Sequence, residues 1–134
     1  LCESETRLGD LLVTVERDLW VLMAEVATLP ANRHKLVAEK SLVSQGMIDH
    51  LESEIDALSL EIEMPKEFVV PGETQLSAAL DVARTVIRRA ERMAVRYPLE
   101  NSLVNPYLNR LSDLTWTMAR WAEGPHHRTA RVHN

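Results

Sequence analysis

Apolar residues return at three- and four-residue steps in four stretches of the chain, and each stretch predicts an amphipathic helix. The first covers residues 1–28, with Leu8, Leu11, Leu12, Val15, Leu19, Leu22 and Val26 as its stripe and most of its acids off that stripe. Only Ser4 or Thr6 offers a cap ahead of Leu8, and the pattern starts almost at the chain end, so Leu1 is not expected to be the natural beginning. The second covers residues 44–59, with Ile48, Leu51, Ile55 and Leu58 inward; Ser44 followed by Met47 does not spell a capping box. A third runs over residues 74–96, where Leu76, Ala79, Leu80, Ala83, Ile87, Ala90 and Ala94 form the apolar face. The fourth opens at Asn105-Pro106, asparagine as cap and proline at the first helical position, and buries Tyr107, Leu108, Leu111, Leu114, Thr115 and Met118.

The breaks between these stretches are equally legible. Residues 29–42 form a connector holding Pro30, and 97–101 turn the chain. Residues 61–72, EIEMPKEFVVPG, carry too much proline for a long helix, and the Phe68-Val69-Val70 run between prolines reads as an extended loop entering the third helix. Phe68 either plugs the core or faces a ligand pocket at the helix mouth. Trp116 and Trp121 are expected at an interface or at the bundle end. From Gly124 the polar run GPHHRTARVHN has no core signal, so 124–134 is expected to be a flexible tail. With no credible strand, the expectation is one all-α domain over residues 1–134, an up-and-down bundle of four mostly antiparallel helices.

Composition narrows the function classes. A formal charge of −5 argues against a general nucleic-acid binder, which carries a broad basic field. The single cysteine, Cys2, excludes an intrachain disulfide framework and a cysteine-rich zinc site. The histidines contain no HExxH; His126, His127 and His133 fall in the polar tail, and His34 reads as a surface residue. No apolar run approaches the roughly 18 residues of a membrane span and no signal peptide is visible, so a cytoplasmic protein is the default, or a mitochondrial-matrix one in a eukaryote.

Against this acidic background the third helix is anomalous. It carries Arg84, Arg88, Arg89, Arg92 and Arg96 against Asp81 and Glu91, with no lysine. One account is a solvated basic face knitted by ion pairs one turn apart. The other is an anion-binding wall, because arginine's planar fork suits phosphate and carboxylate oxygens whereas lysine would serve solubility equally well. The fourth helix offers Asn109, Ser112 and Asp113 to such a wall; in the plainer account Asp113 partners Arg110 or an arginine across the helix pair.

Two runs then point to a family. FVVPGETQLSAALDVARTVIRRAER, residues 68–92, and YLNRLSDLTWTMAR, residues 107–120, resemble the C-terminal half of PduO-type ATP:cob(I)alamin adenosyltransferases. The likeness is dense from Phe68 to Arg120 and thinner from Leu11 to Leu58. It implies a ferritin-like five-helix bundle, four helices of which are present here, assembled as a homotrimer with active sites between subunits. It also implies transfer of the 5′-deoxyadenosyl group from ATP to cob(I)alamin, with Mg²⁺ and release of triphosphate. On that pattern Arg88, Arg89, Glu91, Arg92 and Asn109 resemble the nucleotide contacts, with Arg88 the catalytic contact on the triphosphate. Phe68 resembles the aromatic that keeps the lower axial ligand off cobalt. Arg84 resembles an arginine paired with an acid across the subunit interface, and Asp113 is grouped with it as an interface or structural residue. A cobalamin reductase or an adenosylcobalamin-dependent enzyme is the implied partner.

Two departures accompany the likeness. The Thr-Gly-Asp segment and first helix of the family do not precede Leu1, so the residues given either omit an N-terminus or belong to a degenerate homologue, a non-catalytic cobalamin or nucleotide binder or a structural one. The second glycine of the family's loop is Glu73 here, which puts a side chain where close backbone approach is expected.

Overall fold

A computed structural model describes residues 3–124 and 128–129. Four α-helices, α1 (Glu3–Ala27), α2 (Gln45–Ser59), α3 (Gln75–Arg96) and α4 (Val104–Glu123), account for most of them. A 3₁₀ helix, Pro30–Lys35, occupies the α1–α2 connector, where proline's fixed φ and missing donor suit the first position. The described residues thus hold five helical segments, which corrects the expected four, and they give no support to a ferritin-like architecture. The expectation of no strand is also corrected. β1 (Val69–Val70) and β2 (Arg128–Thr129) pair antiparallel, Val69 opposite Thr129 and Val70 opposite Arg128. Strands of two residues are too short for an alternating pattern to announce them. Apart from Gly124 and β2, the expected tail lies outside the described residues, His126, His127 and His133 included.

α4 is the spine of the bundle, packed against both α2 and α3. All six of its expected core residues are buried, with Tyr107 and Leu114 fully so, and α2 answers with Ile48, Leu51 and Leu58. Full burial of a leucine is worth about 1.5–3 kcal/mol, so this seam carries much of the fold's stability. α1 contributes Leu8, Leu11, Val15, Val21 and Leu22, while Val26, expected inward, is exposed.

In the register of that stripe a carboxylate is buried instead. Glu25 has no exposed surface and accepts hydrogen bonds from the Val43 backbone N–H (2.8 Å), Arg33 Nη2 (3.3 Å) and Ser102 Oγ. One side chain therefore ties α1 to the connector and to the α3–α4 turn. Without those donors a buried carboxylate would be strongly destabilising. Asp18 makes a second polar tie, accepting from Tyr107 Oη at 2.9 Å. Burial pushes the Asp18 carboxyl above its ordinary range, against the lowering pull of Tyr107 and His50, and burial beside Asp18 pushes the Tyr107 phenol up as well.

Helix starts depart from expectation in two places. Ser44 does cap α2: its Oγ accepts from Met47 N–H at 3.2 Å, and the Met47 thioether accepts from Ser44 N–H at 3.4 Å. The rule that looks for Glu or Gln at this position overlooks sulfur as a weak acceptor. α4 starts two residues earlier than expected, so Asn105 lies inside the helix, and Ser102 Oγ accepts from the Val104 N–H at 3.2 Å. Thr74 and Ser77 form a reciprocal cap on α3. Just ahead of it Gly72 adopts φ 97°, a conformation open to glycine, whereas Glu73 is not among the residues of positive φ. The backbone at the family's second glycine thus accommodates a side chain.

α3 differs most from its expected orientation. Leu80 is buried and Ile87 and Ala94 pack on the core, but Leu76, Ala79, Ala83 and Ala90 are exposed. Small alanines carry little burial energy, so they do not decide which way a helix turns. The core-facing line is instead Ser77, Leu80, Ile87 and Ala94, and the apolar residues Val82, Val86, Met93 and Val95 point outward.

Candidate functional site

α3 is an arginine helix whose acids are engaged elsewhere. Asp81 accepts from Arg120 Nη2 of α4 at 2.7 Å, and Glu91 accepts from Asn109 Nδ2 of α4 at 3.1 Å. The ion pairs among the described residues involve Arg7, Arg33, Arg110 and Arg120, none of them from the α3 cluster. Arg88, Arg89 and Arg92 are exposed and have no ion-pair partner among the described residues. This removes the account in which the cluster is knitted by its own ion pairs. What remains on the surface is a set of guanidinium forks at helical spacing, suited to an anion with several oxygens.

Three of the expected site residues meet in one network. Asn109 joins Glu91 through its amide nitrogen, and its Oδ1 accepts from Arg110 Nη2 at 2.7 Å. The same Arg110 nitrogen reaches Asp113 Oδ2 at 2.5 Å, so Asp113 is the local partner of Arg110. Glu91, Asn109 and Asp113 are held in line beside the arginines.

Phe68 and Arg84 meet in a different place. A groove of about 820 Å³ opens between the loop 65–71, α3 and α4. Phe68, Asp81, Arg84, Thr85, Trp116 and Arg120 are among its lining residues. Phe68 is 88% exposed, so of the two roles open to it, the core plug is excluded. β1 follows it directly, and its pairing with β2 fixes the backbone that carries the ring. Arg84 Nε is buried with no hydrogen-bond partner among the described residues. Arg88 stands one turn beyond Arg84, about 6 Å along the axis, and does not line the groove. Groove and arginine face are therefore adjacent stations on one helix.

Sequence reasoning missed Arg120 as a member of this region. It is 3% exposed, bonded to Asp81 and, at 3.0 Å, to Glu123 Oε1. Its position in the YLNRLSDLTWTMAR run was visible, but nothing in periodicity marks a charge as buried. A second groove, about 560 Å³ and more apolar, lies between α1, α3 and α4, lined by Leu22, Met23, Ala90, Met93, Tyr97 and Leu108 among others. Among the described residues no three His, Cys, Asp or Glu side chains gather to hold a metal ion. No described helix is long and apolar enough to cross a membrane.

Comparison with known proteins bears on this geometry. A family model described as cobalamin adenosyltransferase matches residues 1–122. A corrinoid adenosyltransferase of Mycobacterium tuberculosis is 40% identical over 127 residues, covering 91% of this chain and 65% of that protein. Another from Citrobacter freundii is 36% identical over 129 residues, covering 92% and 72%. Among solved structures, a phenylalanine-to-alanine variant of the PduO-type ATP:corrinoid adenosyltransferase from Lactobacillus reuteri, complexed with cobalamin and ATP, superposes with TM-score 0.80. It is 30% identical, with 98% of this chain and 75% of that one covered. An arginine-to-lysine variant of the Lactobacillus reuteri enzyme, complexed with ATP, gives TM-score 0.61 at 27% identity, covering 88% and 83%. The chain spans 65% of the length of the mycobacterial relative.

Proposed function

Because the chain belongs to the cobalamin adenosyltransferase family, we propose that it transfers the 5′-deoxyadenosyl group of ATP to cob(I)alamin. The cobalt electron pair attacks C5′, a Co–C bond forms, and the C5′–O bond breaks with its electrons leaving on triphosphate. The observation that carries the proposal is the exposed arginine face of α3, whose two acids are bonded to α4. A departing triphosphate needs charge neutralised and held in line with the attacking metal, and fixed guanidinium groups supply both. Arg88 is assigned to the triphosphate as the catalytic contact, with Arg89, Arg92, Glu91 and Asn109 completing the nucleotide site. No general acid or base is required, so the absence of a histidine from the assignment is chemically consistent.

The groove is assigned to the corrinoid, with Phe68 on the face of cobalt where a lower axial ligand would approach. Keeping that face apolar and dry makes cob(II)alamin easier to reduce, which is the protein's share of the chemistry. The Lactobacillus reuteri structures hold cobalamin and ATP together, which supports two adjacent sites. Mg²⁺ fits this arrangement only as an ion carried by the triphosphate, since it dehydrates reluctantly and prefers phosphate oxygens and water to an all-protein cage. We assign no residue to it.

Assembly as a homotrimer follows from the same proposal. The outward Val82, Val86 and Met93 of α3 are each about half exposed or more, a stripe that association of subunits would cover. Arg84, which lines the groove and whose buried Nε has no partner among the described residues, is assigned to bind an acid of a neighbouring subunit at the groove rather than at that stripe. A cytoplasmic or mitochondrial-matrix location, with a cobalamin reductase supplying substrate or an adenosylcobalamin-dependent enzyme taking product, suits a reaction that needs reduced cobalt and ATP. An anaerobic assay of the full-length gene product, following loss of the cob(I)alamin spectrum on ATP addition, tests the proposal. Stoichiometric adenosylcobalamin and triphosphate are expected; binding of both substrates without turnover would instead make the protein a carrier.

A further inference from the structure

Arg120 is buried at the floor of the groove in an arrangement that is poor for stability alone. Its Nη2 bonds both Asp81 of α3 and Glu123 of its own helix, while its guanidinium lies 5.4 Å from the centroid of the Trp116 ring, one turn earlier on α4. Arg120 Nε and Glu123 Oε2 are both buried without a partner among the described residues. A buried guanidinium with a free donor, beside a buried carboxylate with a free acceptor, is a partly satisfied network, and apolar residues of similar volume would serve a core better. The cluster nevertheless holds the side chains that matter to the groove. Trp116 and Phe68 are its two aromatic lining residues, and Asp81 and Arg120 line it as well.

We infer that Arg120 is a positioning residue for the corrinoid: it clamps the Trp116 ring as the groove's rigid aromatic wall and anchors that wall to α3 through Asp81. Trp116 is only partly buried, and the hydrogen bonds of the described residues include none from its indole N–H. The stacked guanidinium supplies the missing constraint, since arginine's flat face lies over an indole while its edge donates to carboxylates. Lysine could keep one ion pair but would have no planar face and no fork to span Asp81 and Glu123. The inference rests on the assignment of the groove to the corrinoid, and it adds a determinant of corrinoid affinity that leaves the ATP site, one turn and more along α3, untouched.

The test is a double-mutant cycle of Arg120→Lys and Trp116→Phe on the full-length protein, read first without any ligand. Fluorine NMR of fluorotryptophan-labelled protein gives separate resonances for its tryptophans, Trp20, Trp116 and Trp121 among them, each identified by its loss in the matching Trp→Phe variant. In Arg120→Lys the Trp116 resonance is expected to shift and narrow toward a mobile ring while those of Trp20 and Trp121 stay in place. Cob(II)alamin and ATP affinities are then titrated separately across the cycle. Loss of one cation–π contact is expected to weaken cob(II)alamin binding by about tenfold. ATP binding should be unchanged, and the two substitutions should be non-additive. An unmoved Trp116 resonance, equal losses of both ligands, or additive effects would overturn the inference. If the wild type binds no cob(II)alamin yet Arg120→Lys frees Trp116, the corrinoid assignment fails while the clamp stands. Leu58→Ala, on α2 and away from the groove lining, controls for general loosening, because it should lower thermal stability without a selective loss of cob(II)alamin.

Discussion

α3 and α4 lie side by side, are of similar length and are both amphipathic, yet they do opposite things with their side chains. Twelve of α4's twenty residues are buried, whereas α3 buries only Ser77 and Leu80 of its twenty-two. α4 is the element around which the others condense. α3 leans on it along one line and presents everything else outward: arginines toward one side, valines and a methionine toward another. α3 is held along that line by Leu80, Ile87 and Ala94, and at its flanks by the hydrogen bonds of its acids to Arg120 and Asn109. The difference separates residues that make the fold from residues that the fold displays, and each can be changed without the other.

The largest effect is expected on the α4 side. Leu114 has no exposed surface, and Leu114→Ala should cost about 2–5 kcal/mol through lost burial and the cavity left behind. Urea unfolding followed by circular dichroism measures it; a cost under about 0.5 kcal/mol, the size of an ordinary surface change, would mean α4 is not the spine. On the α3 side, Arg88→Lys keeps the charge and loses the fork, so turnover should fall by about a hundredfold, as for loss of one transition-state donor. The unfolding midpoint should not move. A parallel fall in stability would erase the contrast between the two helices.

Much of α4 was legible in the sequence because large apolar residues at helical spacing leave one solution for which face turns inward. α3 was legible as a helix, with its arginines, but not in its cap or its rotation. Its alanines match the period as well as leucines do and weigh far less in burial, so the outward valines went unrecognised. Glu25 and Arg120 were hidden for a different reason: periodicity counts apolar residues, and a buried charge is defined by partners distant in sequence, here Ser102 and Asp81. A register signal existed for Glu25, which falls three residues after Leu22 on the α1 stripe. The identity of the arginine face came from the motif in residues 68–92 rather than from any physical rule. That its acids are engaged by α4 is knowledge only the fold supplies.

Smaller effects sharpen the same contrast. Phe68→Ala removes a ring that is 88% exposed, so stability should stay within about 0.5 kcal/mol. Turnover should drop by roughly tenfold, equivalent to about 1.4 kcal/mol of lost transition-state stabilisation, with ATP affinity retained. Equal losses of stability and ATP binding would remove Phe68 from the corrinoid assignment.

The smallest effect belongs to the α1–α4 tie. Burial raises the Asp18 carboxyl above its unfolded value, so this group favours the folded state most when protonated, and that contribution is lost as pH rises through its folded pKa. Asp18→Asn keeps an acceptor for Tyr107 and removes the half-buried charge. It should therefore raise the melting temperature slightly at neutral pH, with the gain fading as pH falls below the carboxylate range. A gain that grows on acidification would contradict the assignment.

The central claim is that α3 displays its arginines to bind a polyphosphate. Isothermal titration of the full-length protein with ATP, inorganic triphosphate and adenosine, in wild type and in Arg88→Lys, tests it most directly. The account predicts that wild type binds ATP and triphosphate with a strong dependence on salt, that adenosine binds far more weakly, and that Arg88→Lys loses affinity for the two phosphate ligands alone. Equal affinity for adenosine and ATP, or an Arg88→Lys variant that binds triphosphate as wild type does, would contradict it and leave the cluster a solvated face.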